Sequence, residues 1–154
     1  GPVLLALTRQ GTPTFDRKTV GAVDGVLHGG YVLVKEKGSK PDVILLGTGS
    51  ELQLAVDAQA QLANENIDAR VVSLPSWEVF RAQSAEYKEQ VLPSDVKARV
   101  SVEAGVTLGW HEFVGESGIA IGIDQFGASG PYKKVFPHFG FTVENVVKQA
   151  KTLV

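Results

Sequence analysis

An arginine that follows a short apolar run is the residue of this sequence best suited to binding a ligand. Residues 3–7 read Val-Leu-Leu-Ala-Leu and predict a short strand, and Arg9 follows it, just before the turn-forming Gly11 and Pro13. Open α/β sheets bind ligands at strand ends, and a guanidinium group offers a rigid fork of donors to phosphate or carboxylate. Arg9 is therefore a candidate anion-binding residue. The alternative is a solvated loop residue, or one that pairs with a nearby aspartate.

A glycine-containing turn supplies a second candidate anion site. Residues 47–50, Gly-Thr-Gly-Ser, lie between an apolar run and a helical pattern, where backbone N–H groups and the helix dipole favour an anion. The motif begins like a dinucleotide-binding fingerprint, but Leu52 stands where the third glycine belongs. The sequence thus indicates an anion site at Thr48, Gly49 and Ser50, with a tight, well-capped turn as the alternative.

Two carboxylates follow predicted strands and raise the question of acid–base chemistry. Glu103 and Asp124 both lie at the strand edge where α/β sites form, so they could act as acid and base. Each could equally cap a helix or pair with Arg99 or Lys133. His111 stands between a tryptophan and a glutamate, but no G-x-S-x-G nucleophile elbow accompanies it. The sequence therefore shows no complete catalytic machinery.

The elements that must position these residues form an α/β pattern. Residues 41–75 predict a βαβ unit: a buried strand at 43–46, a helix to about Asn64 opened by a capping box at Ser50 or Thr48, and a strand at 67–74. Together, the predicted elements indicate a three-layer α/β/α, Rossmann-like domain with about five mostly parallel strands. The other predicted elements are an edge strand at 30–34, strands at 98–102 and 119–123, helices at 77–90, 109–115 and 132–138, a final helix from Thr142, and a linker at 11–29.

Composition bounds the class of protein. The chain has 154 residues, 44% of them hydrophobic, which suits one globular domain. A net charge of −2 gives no electrostatic case for nucleic acid or an anionic membrane, and no apolar run approaches the roughly 20 residues needed to span a bilayer. There is no cysteine, and the three histidines show no metal-ligand spacing. The chain also lacks methionine and begins Gly-Pro, so we expect it to be an excised piece of a longer protein.

Taken in order, several segments resemble the C-terminal third of transketolase. Related thiamine-diphosphate enzymes, the β-subunits of 2-oxo-acid dehydrogenases and deoxyxylulose-phosphate synthase, share the fold and the TGSE-like turn. The elements TRQ and IDQFGASGP favour transketolase over these. The matching segments are residues 7–10 (LTRQ), 30–33 (GYVL), 41–51 (PDVILLGTGSE), 70–76 (RVVSLPS), 102–104 (VEA) and 122–131 (GIDQFGASGP).

The resemblance implies a three-domain, homodimeric, cytoplasmic transferase of the pentose phosphate pathway that moves a two-carbon ketol unit between sugar phosphates. Thiamine diphosphate and a divalent cation, Mg or Ca, would be bound by the two preceding domains. Residues 1–27 would end the middle domain and form a linker, and residues 28–154 would form the C-terminal domain. Arg9 matches the family arginine that grips the substrate's phosphate. The resemblance assigns no catalytic role to Glu103, Asp124 or His111, and it implies that this piece is inert by itself.

Two other interpretations remain at the level of sequence. The chain could be a non-catalytic module, with the turn at residues 47–50 holding a small anion and the sheet edge or exposed aromatic residues holding a protein partner. It could also be the equivalent domain of one of the related thiamine-diphosphate enzymes.

Overall fold

A five-stranded sheet forms the centre of the molecule. The computed structural model describes residue 2, residues 4–5 and residues 7–154. The strand order is β1-β3-β2-β4-β5, in which β2, β3, β4 and β5 are parallel and β1 is an antiparallel edge strand beside β3. The predicted class, mostly parallel with about five strands, is confirmed. The strands are β1 (Tyr31–Val34), β2 (Val43–Gly47), β3 (Ala69–Ser73), β4 (Arg99–Val102) and β5 (Ile119–Ile121).

Helices cover both faces of this sheet, which gives the three predicted layers. All five residues of β2 and of β3 are buried, because apolar side chains from both faces of these strands enter a core. One core cluster joins the sheet to α1 and α6, and the other joins it to α2, α3 and α4. The helices are α1 (Leu52–Asn64), α2 (Trp77–Arg81), α3 (Ala85–Val91), α4 (His111–Val114), α5 (Tyr132–His138) and α6 (Val143–Lys151).

The segment at residues 11–29, predicted as a linker with little periodicity, contains regular structure, while its place between two domains stays a prediction. It contains a 3-10 helix at Val23–His28, closed by Gly29 in the left-handed conformation with φ 75°. Gly25 packs so closely on the Tyr31 ring that an added Cβ would lie 2.4 Å from it. The backbone N–H of Gly21 also donates to the carbonyl of Leu33 at 2.7 Å. These contacts to β1 are non-local, so the weak periodicity of the segment did not reveal them.

The short helices predicted at 77–90 are α2 and α3, which are separate because Ser84 adopts extended backbone and its hydroxyl accepts the N–H of Tyr87. The capping box predicted for α1, in contrast, is wrong. No side-chain cap bond opens α1, and a 3-10 turn at Gly49–Glu51 precedes it. The Ser50 hydroxyl is engaged elsewhere and cannot form the expected capping box.

The strand predicted at residues 3–7 does not appear among its described residues. Val3 and Ala6 lie outside the described part of the chain. Leu4, Leu5 and Leu7 lie outside the sheet and are 93%, 75% and 83% exposed. A strand needs a neighbour for its backbone hydrogen bonds, and the sheet described above does not extend to this stretch. Its assignment to a preceding domain stays a prediction.

A buried ion pair anchors the edge of the sheet. Arg70 on β3 donates from Nε and Nη2 to the carboxylate of Glu36, at 2.8 and 2.6 Å. Its Nη1 donates to the carbonyls of Gln90 and Val91 at the end of α3. Only 9% of the Arg70 side chain and 2% of the Glu36 side chain is exposed. The pair therefore joins the segment after β1 to the central sheet and to the helix on one face.

Candidate functional site

Arg9 lies near the carboxyl end of β2. The residue is exposed and sits in a bend, and it forms none of the ion pairs found within residues 2, 4–5 and 7–154. Its neighbours Leu7 and Thr8 line a cleft of about 270 Å³ together with Gly49 and Ser50 of the turn after β2 and with Leu52 at the start of α1. The Arg9 bend therefore lies beside the turn that follows β2, and the proposed anion-binding role of its guanidinium stays a prediction.

A chain of hydrogen bonds ties the residue after Arg9 to two strand ends. The side-chain amide of Gln10 donates to the Ser50 hydroxyl at 3.1 Å, and that hydroxyl donates to Oε1 of Glu51. Oε2 of Glu51 accepts the backbone N–H of Ala104, which follows β4, at 2.9 Å. Ser50 and Glu51 are 6% and 5% exposed. Residue 10, the end of β2 and the end of β4 therefore meet at one point.

The sequence analysis missed Gln10 and Glu51 as members of this site. Gln10 and Glu51 appeared there only within the segments 7–10 and 41–51 that resemble transketolase, and neither was given a role. The available signal was the type of residue: a carboxylate directly after a buried strand and a glycine turn is well placed to bind polar groups at the sheet edge.

The anion site predicted at Thr48, Gly49 and Ser50 stays a prediction, and its geometry does not favour an anion. The Ser50 hydroxyl already donates its single proton, and it donates to the Glu51 carboxylate beside the turn. A second negative charge at this position would be repelled by that carboxylate.

We expect inorganic phosphate to cause no saturable amide shifts at residues 48–51. The measurement is an NMR titration of the chain, with sodium chloride at matched ionic strength as the control. Saturable shifts at these amides would instead support the small-anion module.

Glu103 and Asp124 have structural partners. Oε2 of Glu103 accepts the Trp110 indole N–H at 2.7 Å. Asp124 accepts the backbone N–H and the hydroxyl of Thr107, both at 2.8 Å, and these bonds lower the pKa of its carboxyl. Neither pairs with Arg99, whose guanidinium donates to four backbone carbonyls. Both carboxylates therefore order the loops after β4 and β5.

His111 and the aromatic residues of this end of the domain are divided between surface and core. His111 is exposed at the start of α4. Trp77 packs edge-on against the buried Trp110, with ring centroids 5.1 Å apart, and Phe80 lies in the same cluster. Phe126, in contrast, is 100% exposed. Across the described part of the chain, no group of three or more His, Asp or Glu side chains could hold a metal ion, and no helix is long and apolar enough to cross a membrane.

Comparisons with known proteins agree with this architecture. A family model described as the transketolase-like TK C-terminal domain matches residues 29–142. The chain is 52% identical over 153 residues to a transketolase of Halalkalibacterium halodurans and 53% identical over 153 residues to a chloroplastic transketolase of Spinacia oleracea. Each alignment covers 99% of this chain, but only 23% and 20% of the relative. The chain therefore spans about a fifth of the length of the curated relatives that it matches.

A solved structure has a domain with a similar fold. The transketolase of Pichia stipitis in complex with sedoheptulose-7-phosphate is similar with a TM-score of 0.79 and 40% sequence identity. The superposition covers 88% of this chain and 19% of that one. The family match includes most of the chain, and both the sequence relatives and the structural neighbour carry the same name. The chain belongs to the transketolase family and represents its C-terminal domain.

Proposed function

We propose that this chain is part of a transketolase that transfers a two-carbon ketol unit from a ketose phosphate to an aldose phosphate, as in the pentose phosphate pathway. The match of residues 29–142 to the family's C-terminal domain carries this proposal. The same match supports the proposed division of the chain, with residues 1–27 forming the end of the middle domain and a linker, and residues 28–154 forming the C-terminal domain.

Arg9 is the residue that we propose to bind the phosphate of the substrate. Two observations support this proposal: Arg9 is exposed, and its neighbours lie beside the turn after β2, at the edge where sheets of this class bind ligands. The structural neighbour from Pichia stipitis was solved with a phosphorylated ketose, which supports a sugar phosphate as the ligand class. Two parallel N–H donors on one rigid plane match two phosphate oxygens, so Arg9 would select phosphorylated over free sugars.

Thiamine diphosphate and a divalent cation, Mg or Ca, are the cofactors that we propose for the full-length protein. When bound, thiamine diphosphate supplies the carbon nucleophile of ketol transfer. The described residues of this chain do not fit either group, since they offer no cluster of metal-binding side chains and the glycine turn carries a carboxylate at Glu51. We therefore propose that other domains of the protein hold both cofactors and that this chain contributes to the substrate's site only.

The partners that we propose are the preceding domains of the same polypeptide and a second subunit of a homodimer. Exposed apolar side chains such as Leu108, 84% exposed, and Phe126 give this domain surface that such partners could cover. For the compartment we propose the cytoplasm, from the usual role of the family, although the relative from Spinacia oleracea is a chloroplastic form.

The experiment that tests the function compares the full-length protein with the 154-residue chain. Both are assayed with thiamine diphosphate, Mg, a ketose phosphate and an aldose phosphate. We expect ketol transfer from the full-length protein and none from the chain, because the cofactor sites lie in other domains. Turnover by the chain alone would contradict the proposal. Activity of the full-length protein on a 2-oxo acid instead of a ketose phosphate would indicate one of the related thiamine-diphosphate enzymes.

A further inference from the structure

We propose that Gln10, Ser50 and Glu51 are positioning residues that hold the Arg9 segment in the orientation needed to bind the substrate's phosphate. This inference rests on the proposed function of Arg9 and extends it. None of the three would touch the phosphate. They would act through the backbone that carries the guanidinium.

The hydrogen-bond directions leave only one arrangement for these groups. The Ser50 hydroxyl has one proton, which it donates to Glu51, so its lone pairs remain to accept the Gln10 amide. The second oxygen of Glu51 accepts the Ala104 backbone N–H. Gln10 is therefore held by a hydroxyl whose orientation is itself set by a carboxylate anchored to the end of β4.

The burial of this cluster is the second argument. A carboxylate removed from water costs free energy unless it is paired, and Glu51 is 5% exposed without a cation among its described partners. It also forms no cap bond for α1. The two groups that satisfy it are the Ser50 hydroxyl and the end of β4. Burial of this carboxylate therefore lowers the stability of the fold but fixes an arrangement of polar groups at the sheet edge. Such an arrangement is typical of a site whose side chains need precise placement.

Arg9 needs such a constraint because its own surroundings restrain its backbone only weakly. The residue is exposed, lies in a bend, and belongs to no helix or strand. An exposed bend that is free to move loses backbone entropy when its arginine binds an anion, and a hydrogen bond that fixes the adjacent residue reduces this cost. Gln10 is half-buried and bonded to a residue 40 positions further along the chain. Its side chain thus forms a hydrogen-bonded link between the Arg9 bend and the turn after β2.

The test uses the full-length protein and the variants Gln10→Ala, Arg9→Ala and the double variant. We expect Gln10→Ala to raise KM for a ketose phosphate about two- to tenfold, the range of one neutral hydrogen bond, with kcat unchanged. KM for the same ketose without phosphate should not change. The inhibition constant of inorganic phosphate should rise in parallel with KM. Gln61→Ala is the matched control, because Gln61 is exposed on α1.

The double variant provides the sharpest readout. If Gln10 acts only through Arg9, then adding Gln10→Ala to Arg9→Ala should raise KM no further. Glu51→Gln, which keeps the shape of the side chain, should reproduce the Gln10→Ala pattern in weaker form.

The failures of the two proposals can be distinguished. Additive effects, equal effects on phosphorylated and free ketose, or no effect of Gln10→Ala would overturn the positioning role. If Arg9→Ala is selective for the phosphorylated substrate and Gln10→Ala is not, only the further inference fails. If Arg9→Ala shows no selectivity, the proposed phosphate site fails and the positioning role fails with it.

Discussion

Replacing Arg9 with alanine in the full-length protein is expected to lower kcat/KM for ketose phosphates roughly 10- to 150-fold. This corresponds to a loss of about 1.5–3 kcal/mol of transition-state stabilisation. In its proposed role Arg9 donates charge-assisted hydrogen bonds to the substrate's phosphate, and these are roughly twice as strong as neutral ones, so their loss is the physical reason. Most of the loss should be in KM. The measurement is steady-state kinetics with a ketose phosphate and with the same ketose lacking its phosphate.

The controls for this prediction separate charge from geometry. Arg9→Lys keeps the positive charge but loses the planar fork, so it should fall between the wild type and Arg9→Ala. Arg81→Ala removes an exposed arginine that pairs with Glu112 on the surface, and it should leave both substrates unaffected. Equal losses for phosphorylated and free ketose in Arg9→Ala would make Arg9 a structural residue.

The substitution Glu36→Gln is expected to lower the free energy of unfolding by about 3 kcal/mol at neutral pH. It leaves the Arg70 guanidinium buried without its counter-charge, although the two backbone carbonyls at the end of α3 remain as acceptors. Removing one partner of a buried pair costs more than the pair is worth, because the remaining charge cannot be solvated. Denaturant-induced unfolding of the chain, followed by circular dichroism, measures the change.

Glu112→Gln is the matched control, because Arg81 also holds this carboxylate with two nitrogen atoms. Both side chains of that pair are 44% exposed, so water replaces the lost interaction and we expect a change below about 1 kcal/mol. Similar losses in the two variants would show that burial does not determine the strength of the Glu36–Arg70 pair.

The same pair predicts a pH dependence of stability. Hydrogen bonds from Arg70 lower the pKa of the Glu36 carboxyl below its ordinary range. The folded state therefore binds a proton less readily than the unfolded state, so the contribution is complete above the ordinary glutamate pKa and is lost as the pH falls through the lowered one. The difference in unfolding free energy between wild type and Glu36→Gln should shrink on acidification from neutral pH. A constant difference down to strongly acidic pH would contradict this account.

Sequence patterns predicted the fold well where burial is periodic and local. The apolar run at 43–46 identified a strand that is buried on both faces, and the pattern after Thr142 identified α6, which buries Val146, Val147 and Ala150. The segments that resemble transketolase identified the family, because their order along the chain carries information that no single motif has. Arg9 could be singled out because a guanidinium after an apolar run is a local feature.

Other features depend on which distant residues meet. Ser50 was predicted to cap α1, but its hydroxyl accepts a hydrogen bond from Gln10 and donates one to Glu51. Glu51 in turn accepts the backbone N–H of the residue that follows β4. The segment at 11–29 was predicted from its weak periodicity to lack regular structure, but its second half forms a 3-10 helix that packs on Tyr31 of β1. In both places the contact that matters joins residues that are not neighbours in the local pattern.

The amino-acid sequence by itself determined the α/β class, the family and the candidate arginine, since periodicity, residue type and motif order are properties of the linear chain. Only the tertiary structure decided that Gln10 reaches the turn after β2 and that Glu36 and Arg70 share a buried pair. The strand order β1-β3-β2-β4-β5 does not follow the chain order. Because that order sets which strand ends and loops are neighbours, hydrogen bonds between residues 34 or 40 positions apart appear only once the sheet is assembled.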